Sequence, residues 1–254
     1  MRVSALVVVF ITALSVSEPV QAQTAGSEYA TLQLWVDGAR EGSDFSQYGR
    51  CASDNPRVAI PACTRQLAEQ DSRRFSGNRR MERAYRYTLR ANAYAKQGNL
   101  GRALADYRRA VVSDNDLYWI HAYRGDALFV AGQFEDALES YDDAIELAPE
   151  ESDLRASRAR LLASAADDDF RDGTQAVANA LEAIEMARLS GTPVSYIDTL
   201  AMARAEMGQF TNAIELQRRA IANLQAGDAE ARAEYQSRLN LYLAETPYRA
   251  AVAE

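Results

Sequence analysis

The chain has 254 residues, 48% of them apolar, and a formal net charge of −8 from 28 basic and 36 acidic side chains. So much apolar material excludes disorder as the default, and the acidic balance excludes general nucleic-acid binding. Its 13 glycines and 6 prolines are set among long runs of Ala, Leu, Glu and Arg, which favours helix throughout, with no convincing strand pattern.

Arg2 precedes an apolar run from Ala5 to Leu14, too short for a stable membrane span, and Val20-Gln21-Ala22 follows as a small-residue site. Residues 1–22 therefore read as a secretory signal cleaved after Ala22, which predicts export to the periplasm and no membrane span thereafter. Cleavage removes Arg2 and Glu18, one charge of each sign, so the net charge stays at −8. No cysteine lies at the boundary to accept a lipid. Residues 23–47, with Leu32, Leu34 and Trp35, carry no assignable pattern.

Cys51 and Cys63 are the only cysteines, close enough in sequence to be bridged easily, and an exported chain with two cysteines usually joins them. A structural staple is expected within an N-terminal helical cap at 48–83. The pair has no C-x-x-C spacing to mark a redox centre. From Arg73 to Arg90 seven arginines are opposed by Glu82 alone, either a solvated helix entrance or a patch for an anionic polymer of the envelope.

Internal repetition is the strongest signal. Gly98 in Lys96-Gln97-Gly98-Asn99-Leu100 and Gly132 in Ala131-Gly132-Gln133-Phe134 recur at a period of about 34 residues, and Met207-Gly208-Gln209-Phe210 repeats the turn. After each turn the same small residues return: Ala103, Tyr107 and Ala110, then Ala137, Tyr141 and Ala144, then Ala213 and Ala220 with Gln217 between them. Spacings of 4 and 3 put them on one helical face, where alanines let two backbones approach and an aromatic ring fills the space beside them. Before the turns, Tyr94, Leu128, Ala91, Gly125 and Ala201 line the facing helix, so the unit is a helical hairpin.

This pattern resembles the tetratricopeptide repeat. The resemblance implies an all-α, right-handed solenoid of antiparallel helix pairs, with repeats at 84–117, 118–151, 152–190 and 194–227 inside residues 84–227. Pro149 stands where the family places a proline. The third repeat departs from the pattern: Ala176, Ala180 and Ala183 arrive five residues late, after an extended turn through Asp167-Asp168-Asp169-Phe170-Arg171-Asp172-Gly173. Asp172 or Thr174 is expected to cap the helix that follows. Arg238-Leu239-Asn240-Leu241-Tyr242 and Pro247-Tyr248-Arg249 resemble the closing helix of exported bacterial members, giving a C-terminal cap and tail at 228–254, as a solenoid requires. Cys51 through Cys63-Thr64-Arg65 resembles the cysteine-bearing helix before the repeats in proteobacterial relatives.

The resemblance further implies that the first helices line a concave groove. Expected there are Tyr85, Thr88, Asn92 and Lys96, then Trp119, Asp126, Phe129 and Val130, then Asp153, Arg160 and Ser164, and finally Asp198, Met202 and Glu206. Tyr85, Asn92, Trp119, Asp126, Phe129, Arg160 and Met202 are the peptide-groove candidates, since aromatic anchors give contact area and Asn92 and Arg160 suit an extended peptide. For Trp119 and Phe129, packing between repeats is the competing role. Of the family's carboxylate clamp only Asn92 matches; Thr88, Tyr123, Asp153 and Ser157 stand at its other positions, so recognition of a free carboxyl terminus is not implied.

Arg90, Arg124 and Arg158 recur at the same interval and read as structural partners of acids such as Asp106 and Asp136. His121 is the only histidine and makes no metal cluster, while Phe170 and Arg171 interrupt the alternating oxygens a calcium loop needs. Nucleotide-binding and nucleophile-elbow motifs are absent. No cofactor and no catalysis is expected. The sequence predicts a scaffold holding a protein or peptide partner, with self-association or a structural role in the envelope as the alternative.

Overall fold

The computed structural model describes residues 49–70, 79–225 and 227–253, and among them are ten α-helices and no strand. The expectations for 1–22 and 23–47, and for Arg73 and Arg74, lie outside the described residues. After a short 3-10 turn at Gly49–Ala52 come α1 (Pro56–Gln70), α2 (Arg79–Lys96), α3 (Leu100–Ser113), α4 (Tyr118–Val130) and α5 (Phe134–Leu147). The chain continues with α6 (Ser152–Ser164), α7 (Gly173–Met186), α8 (Val194–Glu206), α9 (Phe210–Asn223) and α10 (Ala229–Leu243). None of the described helices is long and apolar enough to cross a membrane.

The four hairpins are α2/α3, α4/α5, α6/α7 and α8/α9, and each stacks on the next through the second helix of one and the first of its neighbour. Helix α1 packs on α2 at one end of the stack and α10 on α9 at the other. This is an all-α solenoid.

Three of the four hairpin turns share one stereochemistry. Gly98, Gly132 and Gly208 have φ of 73°, 71° and 71°, the left-handed region that only glycine enters freely. In each, the next residue's N–H reaches back to a last-turn carbonyl: Asn99 to Tyr94, Gln133 to Leu128 and Gln209 to Arg204, all at 2.9 Å. These Schellman closures satisfy carbonyls the helix leaves open. The third hairpin has no such glycine. Helix α6 ends at Ser164 with Ala165 as its C-cap, the chain makes a 3-10 turn at Asp168–Phe170, and Asp172 N–H returns to the Leu162 oxygen at 2.9 Å.

Alanines occupy the helix crossings. Ala84, Ala91, Ala103, Ala110, Ala137, Ala144, Ala159, Ala176, Ala180, Ala201 and Ala213 are wholly buried, so backbones meet closely and the larger rings fill the spaces between. Gly125 is required outright: a methyl group there would sit 2.7 Å from a ring carbon of Tyr141.

A disulfide joins Cys51 to Cys63 and ties the 3-10 turn to α1. Both cysteines pack with Ala84, Tyr85, Leu89, Trp119 and Ile120, so the staple belongs to the core that joins the N-terminal cap to the first two repeats.

Candidate binding face of the helical array

The first repeat places its polar candidates inward. Tyr107, from α3, donates to Asn92 Oδ1 at 2.5 Å, and both are buried. Thr88 is buried and donates to the Ala84 carbonyl at 3.0 Å. Tyr85 meets Trp119 edge-to-face, with ring centroids 5.9 Å apart, and only 8% of Trp119 is exposed. Packing between repeats and against the cap is the role the structure gives this pair. Lys96, half-buried, reaches Asp54 at 3.0 Å.

In the second and third repeats three candidates converge. Asp126 Oδ1 accepts from the Tyr141 hydroxyl at 2.6 Å and from Arg160 Nη2 at 3.1 Å. The same guanidinium lies 5.6 Å from the ring centre of buried Phe129, which also packs on Phe134. Arg160 thus spans two repeats and joins the acid of one first helix to its own. Tyr107 with Asn92 and Tyr141 with Asp126 are one device repeated from the first hairpin to the second: a buried phenol needs an acceptor, and the facing first helix supplies it.

The fourth repeat moves the device by one turn. Asp198, fully buried, accepts from Gln217 Nε2 at 2.8 Å and from Arg238 Nε of α10 at 2.9 Å. Burial pushes its carboxyl upward, while Arg238 and Gln217 pull it back. For Arg238 burial acts to lower the guanidinium, and the carboxylates of Asp198 and Glu234 together more than reverse it. The arginine lies between the rings of Tyr235 and Tyr248, at 4.9 and 5.3 Å. Met202 is buried beside Tyr242 in the core under the C-terminal cap, and Ser164 is buried and donates to the Arg160 carbonyl.

Asp153 accepts from Tyr196 at 2.5 Å, and burial followed by that bond raises the Tyr196 hydroxyl. Burial and then Glu151 push Tyr118 up to about 12. These phenols are neutral donors at ordinary pH. At the end of α8, Glu206 is held from two sides, by Arg171 of the lengthened turn at 3.0 Å and by Arg249 of the tail at 2.6 Å.

Other features fall into structural use. Arg90 makes a bidentate pair with Asp106, at 2.6 and 2.9 Å, whereas Arg158 pairs with Asp142 and not with Asp136. In the basic segment Arg86 pairs with Glu82 at 3.4 Å and Arg80 reaches the Ser113 carbonyl. His121 is buried between the Asn115 carbonyl, 2.9 Å from Nε2, and Asp143, 3.2 Å from Nδ1. Asp167, Asp168 and Asp169 bring carboxylates within 4.8 Å of one another but are exposed. Phe170 packs on Phe134 and Arg171 donates to the carbonyls of Ala165 and Ala166, so the two residues that break a calcium pattern anchor the turn instead.

Arg238, Tyr248 and Arg249 are legible in the sequence as parts of a closing cap, but without partners. Those partners, Asp198 and Glu206, are separated from them in sequence by much of the fourth hairpin.

Family models of the tetratricopeptide repeat match residues 84–116 and 119–151. The chain carries tetratricopeptide repeats. The crystal structure of MamA is similar, with a TM-score of 0.53 over 76% of this chain and 99% of that one at 16% identity. A thermophilic tetratricopeptide protein of Thermus thermophilus reaches 0.55 over 82% and 95% at 17% identity. At these identities the likeness concerns the fold alone. No curated protein matches the chain in sequence. As a tetratricopeptide array the molecule is a scaffold for protein–protein interaction.

Proposed function

We infer that the protein is an exported adaptor, working in the periplasm of a Gram-negative bacterium, that holds a segment of a partner protein on its first-helix face and performs no reaction of its own. The observation that carries the reading is the stack of four tetratricopeptide hairpins, whose first-helix acids are committed to phenols and to arginines. Groups locked in mutual bonds build a rigid surface. Export is supported by the apolar run after Arg2, by Val20-Gln21-Ala22, and by the disulfide between Cys51 and Cys63, a bond that persists in oxidising compartments.

The test is a photo-crosslinking residue at Ser157, half-buried in α6 where the family's clamp has a basic side chain, with exposed Glu139 of α5 as the control position. In living cells, Ser157 is expected to capture one discrete protein from the periplasmic fraction and Glu139 none. A folded protein that captures nothing from Ser157, or the same mixture from both positions, ends the adaptor reading.

A second reading, a structural component that assembles with copies of itself, draws on the burial of Tyr85, Trp119, Phe129 and Met202, which spends the intended anchors on packing. Light scattering of the purified protein separates the two. A discrete oligomer favours assembly, and a monomer favours the adaptor.

A further inference from the structure

The chain does not end with its capping helix. Helix α10 closes with Glu245 at a φ of 53° and Thr246 N–H on the Leu241 oxygen at 2.9 Å, and Pro247 prevents the helix from resuming. Residues 247–253 then run, without helix, over the C-terminal ends of the first helices in reverse order. Arg249 meets Glu206 at the end of α8, at 2.6 Å. Ala250 N–H donates to the Ser164 oxygen at the end of α6, at 2.8 Å, and Ala253 N–H to the Val130 oxygen at the end of α4, at 2.9 Å. Ala250 packs on the core that contains Phe129, Leu161 and Ala165, and a methyl group on Gly132 would lie 3.3 Å from Val252 Cγ1.

The chemistry of this strip follows from helix geometry. The last carbonyls of each helix have no partner within it and carry the negative end of its dipole. Stacking three first helices lines such acceptors up, with Glu206 at one end. The strip therefore asks for an extended segment with a cation, an N–H one residue later and another N–H three residues after that. Recognition rests on main-chain donors and one ion pair, so it is not peculiar to this chain's own tail. The tail is also lightly held: Arg249 is 35% and Val252 38% exposed, Ala251 is exposed, and no helix or disulfide fixes any of them. Segments with few buried contacts are the ones that open first.

We propose that the strip formed by the C-terminal ends of α4, α6 and α8 is a binding site for an extended peptide, and that residues 247–253 are its tethered occupant. The ligand that replaces the tail is a partner's segment with an arginine, a small residue next to it, and an aliphatic residue three positions after the arginine. This rests on the adaptor reading for the existence of a partner, but it places the contact at the helix ends and gives it a competitor in cis. A tethered competitor works at an effective concentration in the millimolar range, so the partner must bind well or arrive with a second contact.

The probe is a fluorescent, amidated peptide of residues 246–253, titrated into the full chain and into the full chain carrying Arg249→Glu, which sets two carboxylates against each other and loosens the tail. Binding at least tenfold tighter to the variant than to the parent is expected. An added Glu206→Gln should weaken it again about fivefold, and a peptide with glutamate in place of its arginine should not bind. Ala250→Pro, which removes the N–H given to Ser164 and leaves the ion pair, provides the same opening if Arg249→Glu lowers the melting temperature of the array. Equal binding to parent and folded variants, or no binding to either, overturns the proposal. So does a dimer that free peptide dissolves, which would make the occupant a second copy's tail. A Ser157 adduct that persists while peptide binding fails removes the strip and keeps the adaptor; peptide binding without the adduct does the reverse.

Discussion

The two halves of the array solve one packing problem with different chemistry. In the first two hairpins a buried tyrosine of the second helix finds a neutral or partly exposed acceptor on the first, Asn92 or Asp126, and the turn between the helices is a glycine closure. In the last two the tyrosine has gone. Arg160 stands where Asn92 and Asp126 stood, Asp198 sits one turn earlier, and Gln217 replaces the phenol. The fourth repeat is completed from outside, by Arg238 of the cap and by the tail. The first half is built to be repeated and the second to be ended, because a solenoid's last hairpin needs partners its missing neighbour would have supplied.

The most severe way to separate the halves is Asp198→Ala. It leaves buried Arg238 with only the longer contact to Glu234, at 3.6 Å, and breaking one side of a buried pair costs about 3 to 5 kcal/mol. Urea unfolding should show this loss, accompanied by detachment of α10. A loss below about 1 kcal/mol would mean that the pair does not fasten the cap. In the first half the comparable fastening is covalent: Cys51→Ala with Cys63→Ala should cost about 2 to 3 kcal/mol in the loop-entropy account. Calorimetry of the reduced protein checks the same number without mutation.

Gly125→Ala comes next in size. Alanine gains about 1 kcal/mol in helix propensity, yet its methyl group would meet the Tyr141 ring at 2.7 Å, and that ring is pinned through its hydroxyl to Asp126. Overpacking at a fixed ring costs about 1 to 3 kcal/mol, so a net loss is expected. A stabilised variant would show that the second repeat has slack. Replacing Tyr141 by Phe should cost about 1 kcal/mol, the ordinary worth of one buried hydrogen bond.

Much of the fold could be read from residue order alone, because its causes are local. A glycine at the hairpin turn reports a left-handed φ, and alanines at helical spacing report a helix crossing, whatever lies elsewhere. The binding face was harder to read for a physical reason. First-helix side chains such as Asn92 and Asp126 stand within reach of both the open face and the tyrosine of the following helix, and periodicity is the same either way. Tyr85 and Trp119 needed knowledge of the cap that packs over them. Arg158 had more than one acid on the neighbouring helix to choose from, and only the packed geometry selects Asp142. The end of α10 carries no glycine at all; Glu245 takes the left-handed position, so its closure left only Pro247 as a signal.

The smallest effect tests the lengthened turn inside the third hairpin, which has no counterpart in the first half. Asp172 caps α7: its Oδ1 accepts the Gln175 N–H at 2.9 Å and its Oδ2 the Gln175 side chain at 2.8 Å. The backbone bond to Gln175, then the side-chain bond, hold its carboxyl below the ordinary value of 3.8. A carboxyl lowered on folding stabilises the native state above its unfolded value, and that contribution fades as pH falls through the lower, folded one. Asp172→Ala should therefore cost about 1 kcal/mol at neutral pH, the usual worth of a helix cap. The gap between parent and variant should narrow in urea unfolding carried out below pH 3.8, and Asp172→Asn, which caps without charge, should keep most of the stability at both ends of the range. A gap that stays constant down to acid pH would mean that the turn is held by Phe170 on Phe134 and by Arg171 on the carbonyls of α6, with the cap contributing nothing of its own.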